Sequence, residues 1–248
     1  MTKTVLITGG SRGIGAAVAT LAAERGYDVA FSYASREDAA RTVADAIERA
    51  GQKALPIKAD VCDHDQVVNL FDKTTDQLNG LDAFVNNAGV INPAAPLAEL
   101  EVAEIRRIID TDLTAAILCA REAVRRMARS RGGRGGAIVN ISSMASILAG
   151  AGGFVPYGAA KGGIDVLTEG LGKEVAHDGI RVNGLRPGLI DTDIQDDTGI
   201  PNRIAQLEGN IPIGRGGTPL EVAEAVLWLM SDQASYVAAT SFNVSGAR

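Results

Sequence analysis

Cysteine, histidine and tryptophan are scarce in this chain of 248 residues. Cys62 and Cys119 are the only cysteines, too few for a disulfide framework or a cysteine-based metal cluster, and the sequence predicts that both are buried thiols. His64 and His177 have no accompanying pattern of ligands, so we expect no metal site. The single tryptophan, Trp228, lies in an apolar helical segment and is predicted to be a core residue.

Long apolar stretches and an excess of positive charge are also absent. No run of about 18 apolar residues occurs, and Met1 leads directly into TKTVLITGG, which lacks the pattern of a secretory signal. We therefore expect a cytoplasmic protein without a membrane partner. The formal charge of −6 argues against a surface that binds nucleic acid, which needs clustered lysine and arginine. The arginines of residues 125–136 are interpreted as the end of a helix, where cations complement the dipole.

Short apolar segments alternate with amphipathic ones along the chain. The predicted strands are residues 4–8, 27–33, 53–59, 81–86, 136–142, 180–186 and 240–244. The predicted helices are residues 13–25, 36–50, 64–79, 100–129, 157–177 and 219–231. Strands that alternate with helices form a parallel sheet covered on both faces. Since no linker interrupts the pattern, the sequence predicts one doubly wound α/β domain over residues 1–248.

One connection, residues 191–218, is long and polar and contains two prolines and five glycines. Because it follows a predicted strand, it leaves from the carboxyl edge of the sheet, where ligands bind in open α/β folds. Long connections in compact domains are commonly functional or disordered. Residues 191–218, which we call the lid, are therefore expected beside a bound ligand.

A glycine-rich turn, TGGSRGIG, joins the first predicted strand to the first predicted helix. Its glycines, Gly9, Gly13 and Gly15, allow a tight turn and a close approach to a pyrophosphate, which the helix N-terminus attracts. The spacing differs from the commoner G-x-G-x-x-G, so a turn that binds nothing is the alternative for this motif alone.

The end of the second predicted strand, SYAS, bears on the choice of dinucleotide. NAD-selective sites commonly place an Asp or Glu there to bind the ribose 2′-hydroxyl, and this segment has neither. Glu37 and Asp38 are better explained as the acidic first turn of a helix capped by Ser35. Arg12 and Arg36 can instead pair with a 2′-phosphate. The sequence therefore favours NADP, with NAD as the alternative.

Polar residues also follow the third and fourth predicted strands. Asp60 stands directly at a strand end and is available for the adenine amino group, whereas Asp63 with Gln66 fits a capping box. In NNAG, Asn86 is interpreted as a turn residue that satisfies backbone groups, and Gly89 lets the chain pass close to a cofactor.

Tyr157 and Lys161 stand four positions apart in YGAAKGG and so share one face of a predicted helix. In a partly dry site the ammonium group lowers the tyrosine pKa from its usual value of about 10. Tyr157 could then exchange a proton with an alcohol or carbonyl oxygen while hydride moves to or from a cofactor. Ser142 and Ser143 end the preceding strand, and one of them can hold that oxygen. By itself a Y-x-x-x-K pair is more often accidental, and the small residues around Lys161 equally fit a subunit contact.

The segments TGGSRGIG, NNAG, ISS, YGAAK and RPGLIDT occur in an order and spacing that resemble the short-chain dehydrogenase/reductase family, over Thr4 to about Gly246. The resemblance implies a Rossmann-type fold with seven strands in the order 3-2-1-4-5-6-7. It implies Tyr157 as general acid/base, Ser143 as the residue that orients the substrate, and Lys161 as a ligand of the nicotinamide ribose. It also implies that the lid covers the substrate. The cofactor-binding residues are then Gly9, Ser11, Arg12, Gly13, Ile14, Gly15, Ser35, Arg36, Asp60, Val61, Asn87, Ala88, Gly89, Tyr157, Lys161, Pro187, Gly188, Ile190 and Thr192.

Two regions depart from the family pattern. The family usually has asparagine in the helix before the fifth strand, and the segment DLTA places Asp112 there. If the family residue acts through its backbone carbonyl, Asp112 preserves its catalytic role, although an inward carboxylate would raise the tyrosine pKa. At the C-terminus, Ala239, Ser245 and Ala247 replace residues that are often glycine or acidic, which weakens the expected subunit contact of the last strand.

These observations together predict an NADP-dependent oxidoreductase that interconverts a secondary alcohol or lactol and a carbonyl compound. We expect a homo-oligomer, a tetramer or a dimer. A 3-oxoacyl thioester reductase and a sugar dehydrogenase are specific alternatives. A non-catalytic NADP(H)-binding sensor is the competing class, because a fold does not by itself establish catalysis.

Overall fold

A sheet of seven parallel strands forms the centre of the computed structural model, which describes residues 2–248. The strands are β1 (Lys3–Ile7), β2 (Tyr27–Tyr33), β3 (Ala54–Lys58), β4 (Ala83–Asn86), β5 (Gly136–Ile141), β6 (Ile180–Pro187) and β7 (Thr240–Val244). Their order is β3-β2-β1-β4-β5-β6-β7, and every neighbouring pair is parallel. The predicted α/β class and strand order are confirmed.

Helices cover both faces of this sheet. They are α1 (Gly13–Glu24), α2 (Glu37–Arg49), α3 (His64–Leu78), α4 (Val102–Ile109), α5 (Ala115–Met127), α6 (Val155–Val175), α7 (Arg203–Leu207) and α8 (Pro219–Met230). Alternate residues of β1 point to opposite faces, as the period of a strand requires. Val5 and Ile7 join a buried cluster with α1, α2 and α8, while Leu6 joins a second cluster with α3 and α5.

The predicted helix of residues 100–129 is interrupted in the structure. α4 and α5 are joined by a π-helical turn, Asp110–Thr114, which holds one residue more than a regular helical turn. Hydrophobic periodicity did not reveal this insertion, because the apolar face continues on both sides of it.

Two predictions about scarce residues are wrong. Trp228 is 40% exposed, because it lies at the rim of α8 and packs edge-on against Phe242, with ring centroids 5.9 Å apart. Cys119 is buried as predicted, but Cys62 is exposed in the turn between β3 and α3.

At the C-terminal end, Ala239 and Ala247 have positive φ angles of 57° and 68°, a conformation that favours glycine.

The chain order reverses at β1, which pairs with β2 on one side and with β4 on the other. The loops that leave these strands at their carboxyl ends diverge and open a crevice, as in other doubly wound sheets. The glycine turn, NNAG and the strand-end serines all lie at this edge. None of the helices in residues 2–248 has the length and apolar character needed to cross a bilayer.

Candidate active site

One cavity of about 860 Å³ runs along the carboxyl edge of the sheet. Its lining contains Ser143 and every predicted cofactor-binding residue except Gly15. Asp112 lies behind the wall of this cavity, in contact with Lys161. The structure thus brings these residues, from seven separate segments of the sequence, into one crevice. No group of three or more metal-ligating side chains occurs in residues 2–248.

The glycine turn is shaped by close backbone contacts. Gly9 and Gly13 have positive φ angles of 67° and 54°. A Cβ on Gly15 would overlap the carbonyl oxygen of Gly9 and lie 2.6 Å from Nδ2 of Asn87. No side chain caps the N-terminus of α1, so its free N–H groups face the cavity and can bind an anionic phosphate.

Asparagine side chains fix this turn against β4. Nδ2 of Asn87 donates hydrogen bonds to the carbonyl oxygens of Thr8 and Gly9, each at 3.0 Å. Nδ2 of the buried Asn86 donates to the carbonyl oxygen of Ala116 at 2.9 Å, which agrees with the structural role predicted for Asn86. The Asn87 contacts hold the ends of β1 and β4 together, and the Asn86 contact ties β4 to α5. Ala88 and Gly89 are left at the cavity.

The loop after β2 differs from prediction in one respect. α2 begins at Glu37 with Arg36 in the capping position, and no side chain caps it, so the predicted cap by Ser35 is wrong. The backbone carbonyl oxygen of Ser35 accepts a hydrogen bond from the N–H of Glu37 at 3.1 Å, but the Ser35 hydroxyl caps no N–H group of the helix, and Ser35 lines the cavity. Nε of Arg36 lies 3.4 Å from Oδ1 of Asp38, and both side chains are exposed. β2 supplies no carboxylate to the cavity at its end.

Asp60 and Asp63 have different environments. Asp60 lines the cavity, and its Oδ1 accepts a hydrogen bond from the backbone N–H of Cys62 at 2.9 Å. Asp63 caps α3 by accepting hydrogen bonds from the backbone N–H groups of Asp65 and Gln66, as predicted. Asp60 therefore remains available to a ligand.

Ser142 and Ser143, at the end of β5, have different hydrogen-bond partners. Oγ of Ser142 donates to the carbonyl oxygen of Lys161 at 3.0 Å and so ties α6 to the end of β5. Oγ of Ser143 accepts a hydrogen bond from the N–H of Ala145 at 3.1 Å and keeps its proton for another acceptor. Ser143 is thus the serine that can contact a substrate oxygen.

Tyr157 and Lys161 share one face of α6, which begins at Val155 with Pro156 in its first turn. Nζ of Lys161 lies 5.6 Å from the centroid of the Tyr157 ring. The same Nζ donates to the carbonyl oxygen of Ile141 at 3.2 Å, and the lysine is buried. The ammonium group is held next to the phenol in a largely dry environment.

Burial raises the pKa of Tyr157 above 10 in the protein itself, although Lys161 and the hydroxyl of Ser143 act in the opposite direction. Asp112 adds to the increase. The sequence predicted that Lys161 lowers the pKa of Tyr157, and its charge acts in that direction. The net pKa of the tyrosine is nevertheless raised in the protein alone, because the loss of hydration outweighs the attraction of one ammonium group.

Asp112 lies in the π-helical turn and points towards α6. Its Oδ1 accepts a hydrogen bond of 2.7 Å from the N–H of Val90, and its Oδ2 lies 4.0 Å from Nζ of Lys161. Oδ2 is buried and has no hydrogen-bond partner. Burial raises the pKa of Asp112, while the charge of Lys161 lowers it. The carboxylate of Asp112 therefore points inward, towards Lys161, which is one of the two arrangements considered from the sequence.

The lid folds back over the cavity through contacts at both of its ends. A parallel bridge joins Ile190 to Gly217, and the N–H of Ala94 donates to the carbonyl oxygen of Thr198 at 3.0 Å. Arg12 of the glycine turn lies 4.0 Å from carboxylate oxygens of both Asp193 and Asp197. The sequence did not predict several other residues that line the cavity, namely Arg203 of the lid and, outside it, Arg107, Leu148, Phe154 and Arg248.

Comparison with known proteins places this arrangement among oxidoreductases. A family model described as enoyl-(acyl carrier protein) reductase matches residues 9–246. The uncharacterized oxidoreductase YgfF of Escherichia coli (strain K12) is 47% identical over 243 residues, 98% of each chain. The cis-4-hydroxycyclohexanecarboxylate dehydrogenase of Sinomonas cyclohexanicum is 41% identical over 245 residues, 98% of this chain and 95% of that protein. A solved structure, a short-chain type dehydrogenase/reductase from Mycobacterium marinum, has a TM-score of 0.92 at 36% identity and covers 98% of this chain and 94% of that chain.

Proposed function

Because the chain belongs to the short-chain dehydrogenase/reductase family, we propose that it interconverts a secondary alcohol or lactol and a carbonyl compound with NADP as cofactor. Membership makes it an NAD(P)-dependent oxidoreductase that acts on CH–OH or C=O groups. The observation that carries the proposal is the packing of Lys161 against Tyr157 in the same cavity as the glycine turn.

The cavity suits a dinucleotide along its length. Gly9 and Gly15 allow backbone contacts that a Cβ would block, and the uncapped N-terminus of α1 can receive the pyrophosphate. Arg12 and Arg36 line the adenosine end, where no carboxylate follows β2 to select a ribose 2′-hydroxyl. Both arginines have only exposed, weakly held acidic partners, which a 2′-phosphate can replace. These features support NADP over NAD.

The chain's own residues account for the proton transfer. A bound nicotinamide would supply or accept the hydride at the reacting carbon. In reduction the hydroxyl of Tyr157 donates its proton to the carbonyl oxygen, and the phenolate that forms is stabilised by the adjacent Lys161. The hydroxyl of Ser143 holds the oxygen against the phenol. In oxidation the phenolate removes the proton of the alcohol.

Several finer features belong to the same proposal. The name of the Sinomonas relative describes a secondary alcohol as substrate, and we extend that class to this chain. The lid covers the substrate end, since it contributes Arg203 to the cavity wall. We also propose a cytoplasmic homo-oligomer, a tetramer or a dimer, that buries the exposed apolar residues Ile117 of α5 and Val166 of α6. Light scattering coupled to size-exclusion chromatography measures the number of subunits.

The test measures NADPH oxidation with 4-oxocyclohexanecarboxylate and with acetoacetyl-coenzyme A. In the reverse direction it measures NADP reduction with aldoses. We expect turnover of at least one compound and a loss of at least about 100-fold in kcat for Tyr157→Phe, with NADPH affinity retained. Tyr236→Phe is the matched control, because Tyr236 is fully exposed and lies outside the cavity. NADPH binding without any turnover would instead favour the non-catalytic sensor.

A further inference from the structure

Arg203, in the short helix α7 of the lid, is held against the wall of the cavity beside the reacting groups. Its Cζ lies 4.8 Å above the centroid of the Phe154 ring, one helical turn before Tyr157. Nη1 donates to Oε1 of Gln195 at 2.6 Å, and Nε2 of Gln195 in turn donates to the carbonyl oxygen of Ile190 at 3.0 Å. The guanidinium group is therefore positioned by stacking and by a hydrogen bond, and both fix its plane.

No carboxylate balances this charge. Arg203 forms no ion pair with any acidic group of residues 2–248, and its buried Nε has no acceptor. Arg248 lines the same cavity and likewise has no ionic partner in the described chain. Burial and then the charge of Arg248 lower the pKa of Arg203, while Tyr157 opposes this effect. The charges of Arg203 and Arg248 thus lie close enough to repel each other, and no salt bridge within residues 2–248 joins either guanidinium group to a carboxylate.

The other arginines of the cavity behave differently. Arg12 lies 4.0 Å from Asp193, Arg36 lies 3.4 Å from Asp38, and Arg107 lies 2.6 Å from Glu104. Unbalanced positive charge is therefore confined to the substrate end of the cavity. A partly desolvated guanidinium with unpaired N–H groups and no neighbouring carboxylate is unfavourable, and a ligand that supplies acceptors and negative charge reduces this cost.

We propose that the substrate carries a carboxylate, which Arg203 binds while the reacting carbon and oxygen lie at Tyr157. This inference rests on the proposed oxidoreductase function and specifies the substrate as a hydroxy acid or oxo acid. The planar guanidinium matches a carboxylate with paired N–H donors, and only one of its hydrogen bonds is used within the protein. Arg248 adds positive charge at the same end. A neutral analogue of the substrate leaves the buried donors unpaired and is discriminated against.

The kinetic test compares oxo acids from 4-oxopentanoate to 6-oxoheptanoate, and 4-oxocyclohexanecarboxylate, with their methyl esters. We expect the kcat/KM of the preferred acid to exceed that of its ester, and Arg203→Gln to reduce this acid-to-ester ratio about 10- to 100-fold, mainly through KM. Arg203→Lys keeps the charge but not the planar arrangement of donors. Its acid-to-ester ratio should lie between that of the unchanged protein and that of Arg203→Gln. Arg41→Gln is the control, because Arg41 is an exposed arginine outside the cavity and should leave the ratio unchanged.

A binding measurement separates this inference from the proposed function. Calorimetry on the protein saturated with NADP compares cyclohexanecarboxylate with cyclohexanecarboxamide, which cannot be turned over. Tighter binding of the acid that Arg203→Gln and Arg203→Lys both weaken supports the carboxylate site, even if no oxo acid is reduced and the proposed function fails. Equal binding of acid and amide overturns the inference, and so does reduction of esters or of acetoacetyl-coenzyme A with a rate that is independent of Arg203. In that last case the oxidoreductase function stands.

Discussion

The carboxylate of Asp112 lies 4.0 Å from the ammonium group of Lys161, and both side chains are almost completely buried. Lysine at this place favours the phenolate of Tyr157, and aspartate opposes it. The balance between these two neighbours sets the pH at which the tyrosine changes its protonation state.

Asp112→Asn should move the pH dependence of alcohol oxidation. Oxidation requires the phenolate of Tyr157, so its rate rises with pH through the tyrosine pKa. The substitution removes a negative charge that raises this pKa, and we expect the rising limb of kcat/KM to shift to lower pH. The matched control is Asp110→Asn, an exposed acid of the same π-helical turn. A limb that stays in place or moves to higher pH would show that Asp112 does not raise the pKa of Tyr157.

Arg12→Ala should weaken NADP binding about 10- to 100-fold and leave NAD binding within about twofold, because in the proposed complex the guanidinium pairs with the 2′-phosphate, which NAD lacks. Fluorescence titration with the two reduced cofactors measures both dissociation constants. Arg41→Ala controls for a general loss of positive charge, since Arg41 is exposed and lies outside the cavity. The same loss for both cofactors, or for neither, is incompatible with selection by Arg12.

Gly15→Ala should destabilise the protein and abolish dinucleotide binding. The added Cβ overlaps the carbonyl oxygen of Gly9 and crowds Nδ2 of Asn87, so the turn must shift at a cost of about 1–3 kcal/mol. Urea unfolding measures the free energy. Gly170→Ala, at an exposed helical position with open space around it, should instead stabilise by about 0.5–1 kcal/mol. Equal effects of the two substitutions would contradict the packing described for the turn.

Cys62 and Cys119 should differ in reactivity and in protection by cofactor. Burial raises the pKa of Cys119 to about 12, so this thiol stays protonated and inaccessible at neutral pH. Cys62 is exposed and lines the cavity next to Val61. Iodoacetamide should modify Cys62 alone, and saturation with NADP should slow that reaction. Mass spectrometry of Cys62→Ser, which should remain unmodified, verifies that Cys62 is the labelled residue. If NADP does not slow the labelling of Cys62, the adenosine of the cofactor binds elsewhere.

The sequence predicted the sheet and the catalytic pair for different physical reasons. Apolar alternation reports burial directly, and parallel strands send all their carboxyl ends to one edge, so Asp60, Asn87 and Ser143 were expected to meet. Tyr157 and Lys161 are neighbours because of helical geometry alone, which needs no tertiary information.

Other features depend on contacts between distant segments. Arg203 sits in an irregular lid, and its approach to Phe154 follows from folding of the whole segment rather than from any local pattern. Trp228 is partly exposed because α8 lies near the edge of the sheet at this point. The hydrophobic periodicity of a helix does not show where the sheet beneath it ends. The direction of the Tyr157 pKa shift depends on how completely the phenol is buried, and residue spacing gives no measure of burial.

The π-helical turn at Asp110–Thr114 makes this part of the chain sensitive to a change in its length. Each residue of a helix advances the direction of its side chain by about 100°, so losing one residue here would rotate α4 relative to α5 by that angle. Asp112 would then leave Lys161, and Ile108 would leave the core. A deletion of one codon in this turn would therefore have to be compensated by an insertion of one codon close by.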